Sequence, residues 1–439
     1  MPKQKVSESI AIHWFRRDLR LEDNAALSLA LASHERVVPL FIFDSNILDH
    51  LDADDRRVTF IHDTLVAMHA TLRSLGSGLL VKYGRPVEVW QELIETFAID
   101  AVYTNHDHEP YALSRDEMIG NMLRKNGISF TTCKDQVVFE KDDVLKDDGT
   151  PYTVYTPYSN KWKSRLRDED LRVHEVMINK HHFHQFNEPP IPTLASMGFD
   201  GVRAWIPAVV ADMQIIRAYH ETRDLPAVNG TTRMSVHLRF GTVSIRQLMR
   251  DSRFVSEKYF NELIWREFYQ MILAQFPHVV KGSFRKEYDQ IVWRNNEQEF
   301  DAWCQGRTGY PIVDAGMREL LATGHMHNRV RMIVASFLTK DLLIDWRWGE
   351  AWFAKYLLDF DLASNNGGWQ WAAGCGVDAA PYFRIFNPAE QTKKFDPAWI
   401  YIRKWVPEVD ELTYPQPIVD HGYARKRTLD AYKIALARH

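Results

Sequence analysis

Cysteine is almost missing from this chain. Only Cys133, Cys304 and Cys375 occur among 439 residues, far apart and without a CxxC pair. That excludes a disulfide framework and a thiolate zinc site, and it predicts a reducing, cytoplasmic setting. No HExxH, P-loop or Ser-His-Asp signature occurs, so zinc hydrolysis, P-loop phosphoryl transfer and triad acyl transfer have no sequence support, and no metal is expected. The glycine-rich GxGxxG fingerprint of dinucleotide binding is also lacking. No apolar run approaches the roughly 18 residues of a membrane span, and Met1–Glu8 has no apolar signal core. A surplus of positive charge is absent too. The formal net charge is −4, so any contact with nucleic acid must come from a local basic patch. Neither an internal repeat nor a low-complexity tract is found.

What the chain has in quantity is aromatic surface. There are 14 tryptophans, ten of them from position 265 onward. The ordinary reading of any one of them is a large helix-packing residue. With 45% apolar residues the chain can bury a sizeable core, and its length suits two or three domains.

Apolar runs and helical periods alternate in the first third. Strands are predicted at 10–15, 37–43, 79–83, 101–104 and 128–132, with helices at 24–32, 56–75, 87–97 and 113–125 between them. Strands alternating with helices imply parallel βαβ units. From about 140 to 200 prolines accumulate, which predicts a linker with short elements. From about 201 to 439 the pattern is helical. The expected division is therefore 1–140 as an α/β domain, 141–200 as a linker and 201–439 as an all-α domain.

Four constellations could carry chemistry. Asp359-Phe-Asp-Leu-Ala-Ser-Asn-Asn-Gly-Gly-Trp-Gln-Trp371 gathers two carboxylates, two amides and two indoles. Burying that many polar groups requires partners, and a flat heteroaromatic ligand such as a flavin or a nucleobase suits them. Trp369 and Trp371 point about 200° apart on a helix, so one can face a pocket while the other faces the protein. Asn229-Gly-Thr-Thr-Arg-Met-Ser235 reads as a turn opening a helix, which suits a pyrophosphate or is simply a hydroxyl N-cap. Tyr259, Glu262 and Trp265 share a helix face, putting an acceptor beside an aromatic platform; a surface Glu next to a core Trp is the plainer alternative. In Met326-His-Asn-Arg-Val-Arg-Met332, on a helix expected to run to about Thr339, Asn328 and Met332 share a face of base size. A basic helix end with a core methionine reads the same way.

Taken together, these segments resemble the photolyase/cryptochrome family, most closely the class I cyclobutane pyrimidine dimer photolyases. Further matching runs are His13-Trp-Phe-Arg-Arg-Asp-Leu-Arg-Leu-Glu-Asp-Asn24, Asn261-Glu-Leu-Ile-Trp-Arg-Glu-Phe-Tyr269, Thr308-Gly-Tyr-Pro-Ile-Val-Asp314 and Tyr382-Phe-Arg-Ile-Phe-Asn-Pro388. The resemblance implies a Rossmann-like α/β antenna domain with a parallel sheet, followed by an all-α FAD-binding domain. It places Tyr219, Thr231, Thr232, Arg233, Met234, Ser235 and Tyr259 at the cofactor. Arg331 and Asp359 would flank the flavin, with Phe360 beside them, Asp361 at its polar edge and Asn365 facing N5. An amide cannot supply a proton there, which suits a reduced, anionic flavin.

The resemblance also implies that Trp369, Trp346 and Trp293 form a photoreduction relay. Trp265 and Trp371 would wall a flipped pyrimidine dimer, with Glu262, Asn328 and Met332 contacting it. Arg223, Arg329, Gln391, Lys393 and Lys394 would rim the cavity toward double- or single-stranded damaged DNA. The implied activity is light-driven dimer splitting by a monomeric enzyme: FAD donates an electron to the flipped lesion and recovers it. Asn328 and Met332 stand where 6-4 photolyases resemble one another in a His pair, so 6-4 repair is not expected. Trp265 and Trp371 argue against a DASH-type member. His325 and Phe360 depart from the usual Trp and Gly. The segment His106–Arg115 does not match folate contacts, so the antenna pigment is left open among a deazaflavin, another flavin and none. The alternative is a cryptochrome-like blue-light receptor without repair; the short stretch after Pro415 argues for the enzyme.

Overall fold

The computed structural model describes residues 9–176, 183–185 and 189–437; the Met1–Glu8 reading and parts of the expected linker fall outside them. The chain forms two compact units, neither of them continuous in sequence. The first takes residues up to Glu140 together with Leu166–Val210 and Met234–Asp251. The second takes Lys141–Arg165, Ala211–Arg233 and everything from Ser252.

The first unit is built on five parallel strands: β1 (Ile10–Phe15), β2 (Val37–Asp44), β3 (Leu80–Gly84), β4 (Ile99–Asn105) and β5 (Ser129–Cys133), in the order β3-β2-β1-β4-β5. Helices α1 (Ala25–Ser33), α2 (Arg56–Ser74), α3 (Pro86–Thr96) and α4 (Pro110–Lys125) fill the crossovers. Every residue of β1 and β2 is buried, as continuous apolar runs covered on both faces require. Asn24 starts α1 by accepting a hydrogen bond from the Leu27 N–H, and Pro86 and Pro110 occupy first-turn positions of α3 and α4, where a missing N–H costs nothing. The strand order reverses between β1 and β4, the kind of crevice at which open α/β sheets bind ligands.

The first unit breaks after Glu140, at the expected boundary, but 166–210 and 234–251 rejoin it, so the packing does not follow the sequence order beyond that point. Asp23 and Asp135 are buried carboxylates, and their partners come from far down the chain. Arg246 donates to both, at 2.9 and 2.8 Å, and Ser244 Oγ donates to Asp23 at 2.6 Å. Arg20 donates to Asp135 at 2.6 Å. Leaving either carboxylate unpaired in the interior is strongly unfavourable, so the helix Ile245–Ser252 is drawn into the α/β unit. The proline-rich stretch is likewise divided, because part of it is helical and apolar enough to join the second unit.

That unit contains α5 (Tyr155–Arg165), α6 (Met213–Thr222), α7 (Glu257–Gln275), α8 (Pro311–Thr323), α9 (Asn328–Ser336), α10 (Trp346–Tyr356), α11 (Leu362–Ala373), α12 (Pro388–Phe395) and α13 (His421–Leu436). Its largest core cluster runs from Tyr288 to Ala435 and includes Trp303, Trp346 and Trp369. Helix α11 is central: α7, α9 and α10 all pack against it. No described helix is long and apolar enough to cross a membrane.

Candidate functional site

In the helical unit, two adjacent residues at the end of α6 tie together elements that are remote in sequence. Arg223 Nη1 donates to Glu262 Oε1 on α7 at 2.5 Å. Asp224 Oδ1 accepts from Arg329 on α9, at 2.7 Å from Nη2 and 3.1 Å from Nε. The Glu262 acceptor and the Asn328–Met332 face are thereby brought into one neighbourhood. Burial pushes the Glu262 carboxyl up and the Arg223 charge pulls it back, leaving it above its ordinary value. Its side chain is nonetheless 31% accessible, so it can meet a ligand. Arg223 and Arg329, expected as separate DNA contacts, are engaged in these internal pairs, and Arg329 also lies over the Phe395 ring at 4.4 Å.

Helix α9 starts later than the sequence pattern predicted. His327 caps it, its Nδ1 accepting from the Arg329 N–H at 3.2 Å, so Met326 lies before the helix. The α-helix ends at Ser336 and passes into a π-helical turn, Phe337–Asp341. Asn328 is exposed and Met332 half-buried. Arg331 is fixed from two sides: Nε donates to the Met326 carbonyl at 2.8 Å, and Nη2 to both Asp359 oxygens at 2.9 and 3.1 Å. The Asp359 side chain is only 6% accessible, a carboxylate that needs this partner. Phe360 beside it packs partly buried on the helical core.

Helix α11 carries the densest set of expected residues. Asp361 is its N-cap, accepting from the Ser364 N–H and Oγ, both at 3.0 Å. One of its carboxylate oxygens is thus committed to the helix. Asn365 is buried, and its amide donates to the Glu350 carbonyl oxygen at 3.1 Å. Trp369 is 2% exposed, edge-on to Phe353 and Trp303. Gly349 makes room for it, since a Cβ there would come within 2.1 Å of the indole. Trp371, two residues on, is half-buried and 6.5 Å from the Phe386 ring. The two indoles occupy different faces, as the helical angle predicted. Trp346 is fully buried at the start of α10, whereas Trp293 is half-buried and edge-on to Tyr432 at 6.1 Å.

On α7, Tyr259 is buried, meets Tyr219 edge-on at 5.3 Å, and shares a 3.0 Å hydrogen bond with Thr232. The run Asn229–Ser235 does not open a helix through a hydroxyl cap. The short helix Ser235–Phe240 is capped by Met234 without a side-chain bond, and Arg233 takes a left-handed φ of 54°. The run also changes unit after Arg233, so Met234 and Ser235 are grouped with the α/β unit. Gln391 is half-buried on α12, Lys394 is exposed, and Lys393 pairs with Glu390 at 2.6 Å.

Two kinds of residue escaped the sequence reading. One is the long-range partners, the Asp224 carboxylate that pairs with Arg329 and the Glu350 carbonyl that holds Asn365, which no local motif marks. The other is Tyr155, hidden in the proline-rich stretch. The spacing Tyr155, Tyr158, Trp162 (i, i+3, i+7) was the available sign of a helix burying one face.

In the α/β unit, the loops after β1 and β4 meet at the switch point. Arg17 donates to Asp107 at 3.3 Å and to Glu109 at 2.8 Å, and Arg239 donates to Glu109 at 2.6 Å. Burial pushes Asp107 up, but Arg17, Arg16, Arg115 and Arg239 outweigh it and hold the carboxyl at about 2. His106 and His108 face Glu140. The segment that failed to match folate contacts is therefore taken up by its own ion pairs.

The residues of the helical unit fit a flavin nucleotide. Trp369 Nε1 is buried without a hydrogen-bond partner, a donor of the kind that buried sites satisfy. The anchored Asn365 amide lies one turn before it on the same helix, and the Arg331–Asp359 pair joins the neighbouring α9 to the turn that precedes α11. Comparison with known proteins agrees. Residues 259–413 match the family described as the FAD binding domain of DNA photolyase, and residues 11–176 match the family described as DNA photolyase. A deoxyribodipyrimidine photo-lyase of Synechococcus sp. is 38% identical across 95% of this chain and 95% of its own. The protein of that name from Escherichia coli is 36% identical across 96% and 98%. Among solved structures, a bacterial class III photolyase from Agrobacterium tumefaciens superposes with a TM-score of 0.85 at 33% identity, covering 98% of each chain. An archaeal photolyase from Sulfolobus tokodaii with two FAD molecules superposes with a TM-score of 0.84 at 36% identity, covering 97% of this chain and all of that one.

Proposed function

The chain belongs to the DNA photolyase family, and from that premise we propose that it repairs cyclobutane pyrimidine dimers in DNA under blue light, in the manner of a class I enzyme. The carrying observation is the Arg223–Asp224 junction, which brings the Glu262 acceptor and the Asn328–Met332 face together within the FAD-binding unit. When bound, FAD supplies the light-driven one-electron chemistry. Everything else falls to the protein's own side chains.

Arg331, Asp359, Asn365, Tyr219, Tyr259, Thr231, Thr232 and Arg233 would hold the cofactor. Ionised Glu262 accepts hydrogen bonds from the N–H groups of an extruded pyrimidine, and its pair with Arg223 opposes the rise that burial imposes on the carboxyl. Trp265 and Trp371 give the lesion apolar faces that offset the few kcal/mol spent in extruding it. Asn365, tied to Glu350, presents an amide with no proton to transfer. Trp369, Trp346 and Trp293, graded from buried to half-buried, are the oxidisable side chains suited to resupplying electrons. Asn328 and Met332 contribute no histidine pair, which supports the cyclobutane dimer over the 6-4 lesion.

The test is repair of a thymine-dimer oligonucleotide by protein whose flavin has been reduced beforehand. Dimers should disappear in blue light and persist in darkness, and 6-4 lesions should persist in both. Tight flavin binding with no light-dependent dimer loss would overturn the proposal in favour of a receptor.

A further inference from the structure

Tyr155 opens α5, and its ring lies flat on the Trp265 indole. The centroids are 3.7 Å apart and the planes 7° from parallel. Its hydroxyl donates to the Asn261 carbonyl oxygen, one turn before Trp265, at 2.8 Å. Its backbone N–H donates to the Asp378 carboxylate at 3.1 Å. Asp378 belongs to the connection that follows Trp371, where it adopts a left-handed φ of 45°. Aspartate is among the few non-glycine residues that adopt this conformation readily. Farther along α5, the Trp162 Nε1–H donates to the buried Glu267 carboxylate at 2.7 Å, and Tyr158 packs against Phe268. The helix is thus fastened along α7, with Tyr155 at the end that meets Trp265.

An indole has two faces. Tyr155 covers one, so Trp265 can offer only the other face or its edge to an extruded base. The same residue tethers the connection that follows Trp371. We propose that Tyr155 is a positioning residue for lesion recognition: it backs Trp265, anchors the Asp378 connection, and so sets the spacing of the two aromatic walls for a pair of linked pyrimidines. This rests on the reading of Trp265 and Trp371 as those walls. Its action runs through Trp265 and the Asp378 connection.

The experiment is equilibrium binding in the dark. Full-length, flavin-loaded protein is titrated with matched oligonucleotides with and without one thymine dimer, and the ratio of the two affinities is read. Tyr155→Phe and Tyr155→Ala both keep the backbone N–H that holds Asp378; Phe also keeps the stack and loses only the hydroxyl bond to Asn261, so its ratio should stay within about twofold of the parent. Tyr155→Ala should lower the ratio by roughly 3- to 10-fold, the factor associated with a well-placed aromatic pair. Flavin content and affinity for undamaged DNA should not change. A merely structural role would lower both affinities together and leave the ratio intact, and that result overturns the inference. So does a Phe variant as impaired as the Ala variant. Where Tyr155→Ala does not fold, Asp378→Ala, which cuts only the tether, takes its place: a lowered ratio supports the proposal and an unchanged one sinks it. Trp265→Ala separates the two levels. If it lowers the ratio while Tyr155→Ala does not, the positioning role fails and the walls stand; if neither variant lowers it, the walls fail as well.

Discussion

At the residue scale, the site is decided by which charges are paired. Glu262 is the clearest case. Burial raises its carboxyl above the ordinary range and Arg223 opposes that rise. If the ionised form binds the lesion, dimer-specific affinity should decline as pH falls, beginning above the pH at which an exposed glutamate protonates. Glu262→Gln should bind dimer DNA about tenfold more weakly at neutral pH, as the loss of a charged hydrogen-bond acceptor implies, and show no such decline. Equal slopes in parent and variant, measured by fluorescence anisotropy, would remove Glu262 from lesion binding. Motif spacing marked Glu262 readily, because acceptor and indole recur on one helix face. Its partner Arg223 sits 39 residues away and was seen only as a cation near the rim.

At the element scale, α9 owes its start to His327. The ring is 5% exposed. Burial holds its imidazole down at about 4, with the Glu319 charge opposing. Between about 4 and 6.5 the unfolded chain takes up a proton that the folded chain refuses. Stability from this residue is therefore fully present above pH 6.5 and lost as pH falls through that window. His327→Asn retains a capping acceptor and removes the titration. Between pH 6.5 and 4 it should lose about 2 kcal/mol less stability than the parent, read from denaturant midpoints at each pH. A proton-independent difference would mean that the cap alone matters. The sequence placed α1 to α4 and all five strands within a few residues, because apolar period and capping residues are local signals. It overran the start of α9 because the period continues through Met326 while the cap depends on a side-chain contact.

At the scale of the whole molecule, a net charge of −4 must coexist with DNA binding. Two lysines near the end of α12, Lys393 and Lys394, are exposed on the helix that was expected to rim the cavity. If they meet phosphates, Lys393→Ala and Lys394→Ala should each weaken binding to damaged and undamaged duplexes alike. Each should also flatten the slope of log affinity against log salt by roughly 0.9. Unchanged slopes would move the DNA path away from α12. Long-range charge pairing also sets the domain division. Arg246 joins the α/β unit through Asp23 and Asp135, a partnership separated by more than a hundred positions and invisible to composition.

Periodicity and capping residues made the α/β-then-helical plan legible from the chain alone, since each depends on neighbours within a few positions, and the resemblance of ordered motifs supplied the expected walls and flavin-side residues. Pairings across the chain were decided only by tertiary packing: Arg223 with Glu262, Asp224 with Arg329, Tyr155 with Trp265, and the passage of 234–251 into the first unit. They arise because buried charges and ring faces must find partners wherever folding brings them, and nothing in local sequence names the partner.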